Sequence, residues 1–467
     1  MAKKEEQKKD KAKVWLDYDE KEKQELESLA KNYRDFLTKC KTERESAAEA
    51  VREAEARGYR NLSDIVKNGE TLQPGAKVYE VMMKKSVALF QLGTEPMERG
   101  LAILGAHIDS CRLDVKQNPL YEDDGLAYLD THYYGGIKKY QWVTIPLAMH
   151  GVVVRKDGTV LDVVIGEEPG DPVFCVTDLL IHLASKQMEK TAAKVIDGEK
   201  LDVLVGTYPL KDEDKDAVKG NLLVLLKEKY GIEEEDFISA ELVLVPAGAA
   251  RDMGLDRSMI LSYGHDDRVC AYTSLVAMLD TEAKQRTTCC LLVDKEEIGS
   301  VGATGMRSQF FENMLAELMH AAGQYSELAL RRCLRNSKML SSDVSSAYDA
   351  LYADAFDKKN VAYLGRGMVF NKFTGSRGKS GSNDANAEYL GELRRIMDGH
   401  GVHYQTSELG KVDQGGGGTI AYIMALYGMQ VIDSGVPVLS MHAPWEAVSK
   451  IDVYEAMRAY RAFLEEA

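Results

Sequence analysis

The stretch Thr287-Thr-Cys-Cys-Leu-Leu-Val-Asp-Lys-Glu-Glu-Ile-Gly-Ser-Val-Gly-Ala-Thr-Gly305 decides the fold of this chain. Its first seven residues are apolar or β-branched, which is typical of a short, buried parallel strand. Glycines recur at positions 299, 302 and 305, and residues 306–320 can form a helix. In open α/β sheets the chemistry collects at the carboxyl ends of the strands. Glu296 and Glu297 are therefore predicted to lie at the end of a central strand.

The Glu296-Glu297 pair places two adjacent carboxylates at this strand end. Two such groups repel each other, and both can be buried only if a cation compensates their charge. A solvated acidic loop is the more common explanation of an isolated Glu-Glu pair. The glycine-rich turn and the side chains at other predicted strand ends favour a functional site instead.

Length and composition narrow the class of protein. The chain has 467 residues, enough for two or three domains, and 45% hydrophobic residues, enough for a large core. Its net charge of −15 argues against a protein that binds nucleic acid or a membrane surface. No run of about 18 apolar residues occurs, so no membrane-spanning helix is expected.

Cysteine usage and the N-terminus bear on the cellular compartment. The seven cysteines form no Cys-x-x-Cys pair, which argues against a disulfide framework or a thiolate zinc site. Residues 2–13 are almost all charged and lack the apolar core of a signal peptide. We therefore expect a cytoplasmic protein whose first 18 residues or so form a solvated tail.

The pattern along the chain predicts three segments. Residues 1–113 and 254–467 alternate predicted strands and helices, and are expected to form one α/β domain in two parts. Residues 114–253 are rich in predicted strands and in turn signals such as Gly135-Gly136, and are expected to form an inserted, β-rich domain. Within the insertion, residues 174–188 are predicted to be helical.

Local signals predict elements of the α/β domain. Thr42 and Glu45 have the spacing of a capping box that opens a helix. Residues 101–106 are predicted to form a buried strand that ends on His107. Residues 451–466 have the periodicity of an amphipathic terminal helix.

Side chains that bind metal ions follow several of the predicted strands. They are His107, Glu296, Glu297, Asp343 and His442, and Asp266 stands just before a predicted helix. Individually, such a histidine is often structural, and Asp266 could be a helix N-cap. At the strand ends of one sheet, however, the set would suit Zn²⁺, Mn²⁺ or Co²⁺, and its many oxygens could bridge two such ions.

The ordered motifs resemble those of one peptidase family. They are Ala106-His-Ile-Asp109, His265-Asp-Asp-Arg268, Asp294-Lys-Glu-Glu-Ile-Gly299, Ser342-Asp343 and Met441-His442. Over residues 20–467 the chain resembles the M18 metallo-aminopeptidases, the aspartyl aminopeptidase group, and at longer range the M42 peptidases of the di-zinc clan. The resemblance implies a mixed-sheet, three-layer α/β catalytic domain with an inserted oligomerisation domain. It also implies dimers gathered into a dodecamer.

The same resemblance implies a role for each site residue. Asp266 would bridge two divalent ions, with zinc preferred and manganese or cobalt as alternatives. His107 and Asp343 would complete one site, and Glu297 and His442 the other. Glu296 would be the general base, and the Asp109 carboxylate would orient the imidazole of His107. A turn acid is the alternative explanation of Asp109.

His182 is assigned through a matching segment. Residues 176–183 resemble a family segment of the inserted domain whose histidine reaches the active site of a neighbouring subunit. Such a histidine could stabilise the oxyanion that forms during peptide hydrolysis. A structural histidine on a helix face is the alternative.

Substrate preference is tied to a basic region in which this chain departs from the animal family members. Their lysine after a Gly-Pro-Val-x motif, linked to acidic first residues, is displaced by one position here. Lys372, Arg377 and Lys379 are candidates for holding a substrate carboxylate, and surface loop charge is the alternative.

Together these observations predict a two-metal aminopeptidase that removes single residues from short peptides, with a possible preference for acidic first residues. Two alternatives stay open: another di-metal hydrolase of the clan, such as a deacylase, and a non-catalytic assembly protein that retains the fold. Neither nucleic acid nor a membrane is expected as a partner.

Overall fold

The computed structural model describes residues 11–211, 213, 215–376 and 378–467, so the first ten residues, Asp212, Asp214 and Arg377 lie outside it. Within the predicted tail, Lys11–Leu16 forms a 3₁₀ helix. Val14 and Tyr18 are buried in the main core cluster. The expectation of a solvated tail to about residue 18 is therefore wrong for these residues, because their apolar side chains find a core to pack against.

The described residues form eleven α-helices and twenty strands. The helices are α1 Glu20–Lys39, α2 Glu43–Ala56, α3 Leu62–Lys67, α4 Ser185–Met188, α5 Ala217–Leu225, α6 His265–Asp280, α7 Phe310–Ala321, α8 Glu327–Asn336, α9 Ala387–Gly399, α10 Ala421–Ala425 and α11 Lys450–Glu466. The strands are β1 Arg60–Asn61, β2 Lys77–Met82, β3 Ser86–Gln91, β4 Ala102–His107, β5 Arg112–Asp123, β6 Leu126–Tyr134, β7 Leu147–Val154, β8 Val160–Ile165, β9 Val203–Gly206, β10 Ala240–Pro246, β11 Arg251–Met253, β12 Met259–Ser262, β13 Thr288–Val293, β14 Lys338–Ser342, β15 Ser345–Ser346, β16 Met368–Asn371, β17 Tyr404–Thr406, β18 Gln430–Gly435, β19 Pro437–Leu439 and β20 Glu446–Ser449.

A nine-stranded mixed sheet has the order β1-β2-β3-β13-β4-β14-β18-β16-β17. The predicted strand β13 lies inside it, parallel to β4 and antiparallel to β3, and all six of its residues are buried. Alternate residues of β13 face opposite sides: Cys290 and Leu292 join one core cluster, whereas Cys289 and Leu291 join the other. Because helices cover both faces, the expected mixed α/β fold is confirmed.

A second sheet is antiparallel throughout and has the order β8-β7-β10-β5-β6-β9. Its strands all come from the chain between Arg112 and Pro246, and its core cluster includes the fully buried Trp142. The boundaries at residues 113 and 253, and the use of this region in oligomer assembly, stay predictions.

A third sheet contains the strand that precedes His442. It has the order β11-β12-β20-β19-β15, and β19, the strand before His442, belongs to it. The expectation that every metal-ligand candidate follows a strand of one sheet is therefore wrong for His442. The chain leaves the nine-stranded sheet after β18 and pairs Val438 with Val448 of β20 instead.

The helix predicted over residues 174–188 is also wrong for most of its length. Phe174 and Cys175 form isolated bridges with Leu147 and Leu204, so the chain runs extended along the antiparallel sheet. Only the 3₁₀ turn Ile181–Leu183, which contains His182, and the four-residue helix α4 are helical. Pairing with the sheet overrides the local helical pattern here.

The predicted capping box of α2 gives a stability test. Thr42 accepts a hydrogen bond from the Glu45 amide at 3.2 Å, and Glu45 accepts one from the Thr42 amide at 2.9 Å. We expect Thr42→Ala to lower the free energy of unfolding by about 1 kcal/mol, measured by denaturant titration. Thr191→Ala is the matched control, because Thr191 precedes a 3₁₀ turn without a side-chain cap. Equal losses in both variants would contradict the role of the cap.

Candidate metal centre and active site

Three parallel strand ends bring the first group of candidate ligands together. His107 is the last residue of β4, Asp343 directly follows β14, and Glu296 lies three residues beyond the end of β13. The ladder pairs Val293 with His107, so these ends meet at one edge of the sheet. One ligand atom from each of His107, Glu296 and Asp343 lies within 4.8 Å of the others.

Asp266 stands between the two candidate histidines. One carboxylate oxygen lies 3.2 Å from His107 Nε2, and the other lies 3.1 Å from His442 Nε2. Each oxygen of a single buried carboxylate therefore faces a different imidazole.

Glu446 links His442 to Asp266 through hydrogen bonds, and the sequence pattern did not predict it as a site residue. Its Oε1 accepts a hydrogen bond from the His442 amide at 2.7 Å, and its Oε2 accepts one from the Asp266 amide at 3.0 Å. The only signal in the sequence is an acidic residue four positions after His442, which is too common to identify a site residue.

A second group of candidate ligands forms around His442. His442 Nε2 lies 3.7 Å from Glu297 Oε2, and the thiol of Cys111 donates to the same oxygen at 3.2 Å. Cys111, Glu297 and His442 each offer a ligand atom within 4.8 Å of the other two. The sequence showed Cys111 only as one of seven scattered cysteines.

Asp109 is fully buried behind both groups. It accepts hydrogen bonds from the backbone amides of Glu296 at 3.1 Å and of Glu297 at 3.2 Å, and from the hydroxyl of Tyr134 at 2.8 Å. His107 Nδ1 lies 3.0 Å from its carbonyl oxygen and 3.3 Å from its carboxylate. Asp109 therefore contacts the first histidine and also holds the backbone of both glutamates.

The ionisation of the carboxyl groups at the centre is strongly perturbed. Burial and the neighbouring carboxylates raise the pKa of Glu296 and of Glu297 to about 7. Burial also raises the pKa of Asp343 well above its usual range. Although burial opposes the shift, hydrogen bonds with His107 and His442 lower the pKa of Asp266. Crowded oxygen donors with two imidazoles suit divalent ions such as zinc, so the residues present fit the metal that the sequence predicts.

A cavity of about 430 Å³ opens onto this centre. Asp266, Glu296, Glu297, Asp343 and His442 line one side of it, and the segment 416–418 contributes to the rest. His182, Lys372 and Lys379 are not among the described residues that line it. Lys379 instead pairs with Asp384 at 3.0 Å, and His182 is exposed in its 3₁₀ turn. The described chain thus brings the six candidate ligand and base residues and Asp109 together, but places His182, Lys372 and Lys379 outside the cavity.

Comparison with known proteins identifies the family of this chain. Residues 36–464 match the family described as aminopeptidase I zinc metalloprotease (M18). This chain belongs to the M18 family. A probable M18 family aminopeptidase 1 of Clostridium acetobutylicum is 60% identical over 452 residues, which cover 97% of each chain. The chain is an aminopeptidase, a hydrolase of peptide bonds.

Solved structures of other M18 members share the fold. The structure of an M18 aminopeptidase from Thermotoga maritima has a TM-score of 0.92 at 43% identity and covers 97% of this chain and 99% of its own. Aminopeptidase I from Clostridium acetobutylicum has a TM-score of 0.90 at 58% identity, with coverage of 97% and 98%. Across the described residues, no helix is both long and apolar enough to cross a membrane.

The raised carboxyl pKa values predict how pH affects the metal-free protein. Glu296 and Glu297 bind protons up to about pH 7 in the folded chain, against an ordinary pKa of 4.5. In that interval the native state binds more protons than the unfolded state, so the free energy of unfolding should fall as pH rises. Thermal unfolding of chelated protein across this interval measures the effect.

The control for the pH experiment is a variant without the two acids. The double change Glu296→Gln and Glu297→Gln should make the decline shallower, because the amides do not titrate. A decline equally steep in both proteins would show that other groups cause it.

Proposed function

We propose that this M18 enzyme is a two-metal aminopeptidase that releases the first residue of short peptides. The observation that carries the proposal is Asp266, whose two carboxylate oxygens each face one histidine. His107 and Asp343 would hold one ion and Glu297 and His442 the other, with Asp266 between them. Zinc is the first expectation, and manganese and cobalt are the alternatives.

Glu296 takes the role of general base in this proposal. The ions, when bound, activate water and polarise the carbonyl of the first peptide bond. Glu296 lines the cavity. Its Oε2 lies 3.9 Å from His107 Nε2, whereas the Asp266 carboxylate lies 3.2 Å from the same nitrogen. Its carboxylate accepts the proton of the attacking water and then delivers it to the leaving amine. Asp109 orients Glu296 through the backbone amide and holds His107.

The role of Glu296 is tested by Glu296→Gln. We expect both ions to remain bound while turnover falls about 10²- to 10⁴-fold, because the amide cannot accept the proton. Steady-state kinetics and metal counting on the same preparation measure the two effects. Glu317→Gln makes the same charge change on the exposed side of α7 and should leave turnover unchanged. Near-normal turnover in Glu296→Gln with metals bound would rule out the assignment.

The bridging role of Asp266 is tested by metal content. Asp266→Ala should lose ions from both sites, since each site loses one oxygen ligand. His107→Ala and His442→Ala should each lose mainly one ion. Elemental analysis of the three purified variants distinguishes these patterns, and a full complement of metal in Asp266→Ala would place the bridge elsewhere.

Substrate range separates the proposal from the other hydrolases of the clan. A panel of N-terminal amino-acid amides, run beside N-acylated analogues after addition of zinc, manganese or cobalt, should show hydrolysis of the free-amine substrates. Hydrolysis of only the N-acyl substrates would indicate a deacylase, and no hydrolysis with full metal sites would favour an assembly protein.

The same panel tests the preference for acidic first residues. No lysine or arginine lines the described part of the cavity, and Lys379 pairs with Asp384. Lys372 is exposed, and Arg377 lies outside the described residues. The acidic preference stays a prediction: if it holds, the Asp and Glu amides should be hydrolysed faster than the neutral ones, and equal rates would contradict it.

We propose a homo-oligomer in which the inserted region pairs two subunits and dimers assemble into a dodecamer. The apolar residues around His182 support it: Leu180 is 54% exposed, and Ile181 and Leu183 are each 67% exposed. Such a patch is typical of an interaction surface. The yeast protein mApe1, with a TM-score of 0.74 at 19% identity, is a dodecamer in its solved structure.

We also propose a cytoplasmic location. The unpaired cysteines of the described chain support it, and antibody staining or cell fractionation tests it.

Action of His182 in a neighbouring subunit is tested by mixing variants. His182→Ala and Glu296→Gln subunits should each have low activity alone. Reassembled mixtures should regain activity, because some sites then combine an intact Glu296 with an intact His182 of a second subunit. Mixtures that never exceed the separate variants, despite demonstrated subunit exchange, would show that His182 does not act in this way.

A further inference from the structure

The carboxyl end of β6 reaches the metal centre from the antiparallel sheet. Its last residue, Tyr134, and the two glycines that follow, Gly135 and Gly136, form a segment that we call the β6 end. The sequence shows the two glycines only as a turn. In the structure, each of the three residues approaches the candidate centre at a different point.

Tyr134 contacts Asp109, the residue that holds the backbone of both glutamates. Its hydroxyl donates to Asp109 Oδ2 at 2.8 Å, and the side chain is buried. Oδ2 also accepts the amide of Glu297 at 3.2 Å, while Oδ1 accepts the amide of Glu296 at 3.1 Å. The Tyr134 hydroxyl thus completes the set of donors that orients the Asp109 carboxylate.

The ring of Tyr134 is itself held in place by a buried cation. The guanidinium of Arg112 lies 4.0 Å from the ring centroid, and Arg112 Nη1 donates to Glu43 Oε2 at 3.0 Å. Glu43 opens α2, on one face of the nine-stranded sheet. The ring is therefore held by a contact within the antiparallel sheet and, through Glu43, by a helix, which suits a positioning role.

Gly136 contacts the second histidine. Its carbonyl oxygen accepts a hydrogen bond from His442 Nδ1 at 2.9 Å. Because a carbonyl oxygen only accepts, Nδ1 carries a proton, and Nε2 is the nitrogen that faces Asp266 and Glu297. A histidine whose Nδ1 donates to a fixed acceptor in this way binds a metal ion through Nε2.

The close approach of the β6 end requires a glycine at position 135. Its φ is +80°, and an added Cβ would lie 2.6 Å from Cys111 Sγ and 3.1 Å from Glu297 Oε2. Gly136 lacks this constraint, since its φ is outside the left-handed region and an added Cβ would lie 3.4 Å from His442 Nδ1. The two glycines therefore differ in how much a methyl group would disturb the centre.

We propose that the β6 end is a positioning segment of the metal centre, which orients His442 directly and His107, Glu296 and Glu297 through Asp109. This inference rests on the proposed two-metal function and assigns part of it to the antiparallel sheet. Tyr134 is the positioning residue that the proposal adds. Removing a residue that orients a metal ligand typically changes metal affinity or activity by about 10- to 100-fold.

The first test removes only the hydroxyl. Tyr134→Phe keeps the ring under Arg112, and we expect about tenfold weaker zinc affinity, measured by competition with a chelating dye. We also expect kcat for a dipeptide to fall while KM changes little, because Glu296 loses its orientation. Tyr133→Phe is the matched control on the neighbouring, exposed tyrosine and should change neither quantity. Thermal unfolding of the metal-free variants shows whether either change affects folding.

The second test uses the two glycines and stays informative if Tyr134→Phe folds poorly. Gly135→Ala should weaken zinc binding more than Gly136→Ala does, because only position 135 combines a positive φ with a Cβ contact at 2.6 Å. Equal zinc affinity and kcat in Tyr134→Phe and the unchanged enzyme would overturn the inference, as would equal zinc affinity in the two alanine variants. If the unchanged protein bound no zinc and cleaved no peptide, the proposed function itself would fail.

Discussion

The placement of one buried carboxylate, Asp266, between two imidazoles is the interaction on which the site depends. A buried carboxylate is costly unless charged or polar partners compensate it, and the histidines on either side do so at 3.1 and 3.2 Å. The same two contacts set the separation of the two halves of the centre. Every other ligand candidate lies on one side or the other of this carboxylate.

Three sheets converge on Asp266, and each contributes a different kind of group. The nine-stranded sheet contributes His107, Glu296 and Asp343 at neighbouring strand ends. The five-stranded sheet contributes His442 and Glu446, which accepts hydrogen bonds from the backbone amides of His442 and Asp266. The antiparallel sheet contributes backbone and tyrosine contacts that orient these ligands. A centre built in this way is sensitive to the relative position of the sheets as well as to its own residues.

The buried carboxyl groups of the centre lower the stability of the metal-free protein and favour the binding of a cation. Several carboxyl groups are buried close together, and burial, together with repulsion between the carboxylates, raises the pKa of Glu296 and Glu297 to about 7. Such crowding destabilises the metal-free chain at neutral pH, and a divalent cation relieves it. Folding and metal binding are therefore expected to be coupled in this protein.

The sequence by itself determined the strands and loops that carry the ligands. The apolar run of β13, the capping box at Thr42 and the strand ending on His107 depend on neighbours along the chain, so local patterns predict them. Tertiary structure alone decided that His442 follows a strand of a separate sheet and that residues 174–180 are not helical. It also decided that Glu446, Cys111 and Tyr134 meet at the centre. These features depend on contacts between residues far apart in sequence, and no local periodicity or spacing records such contacts.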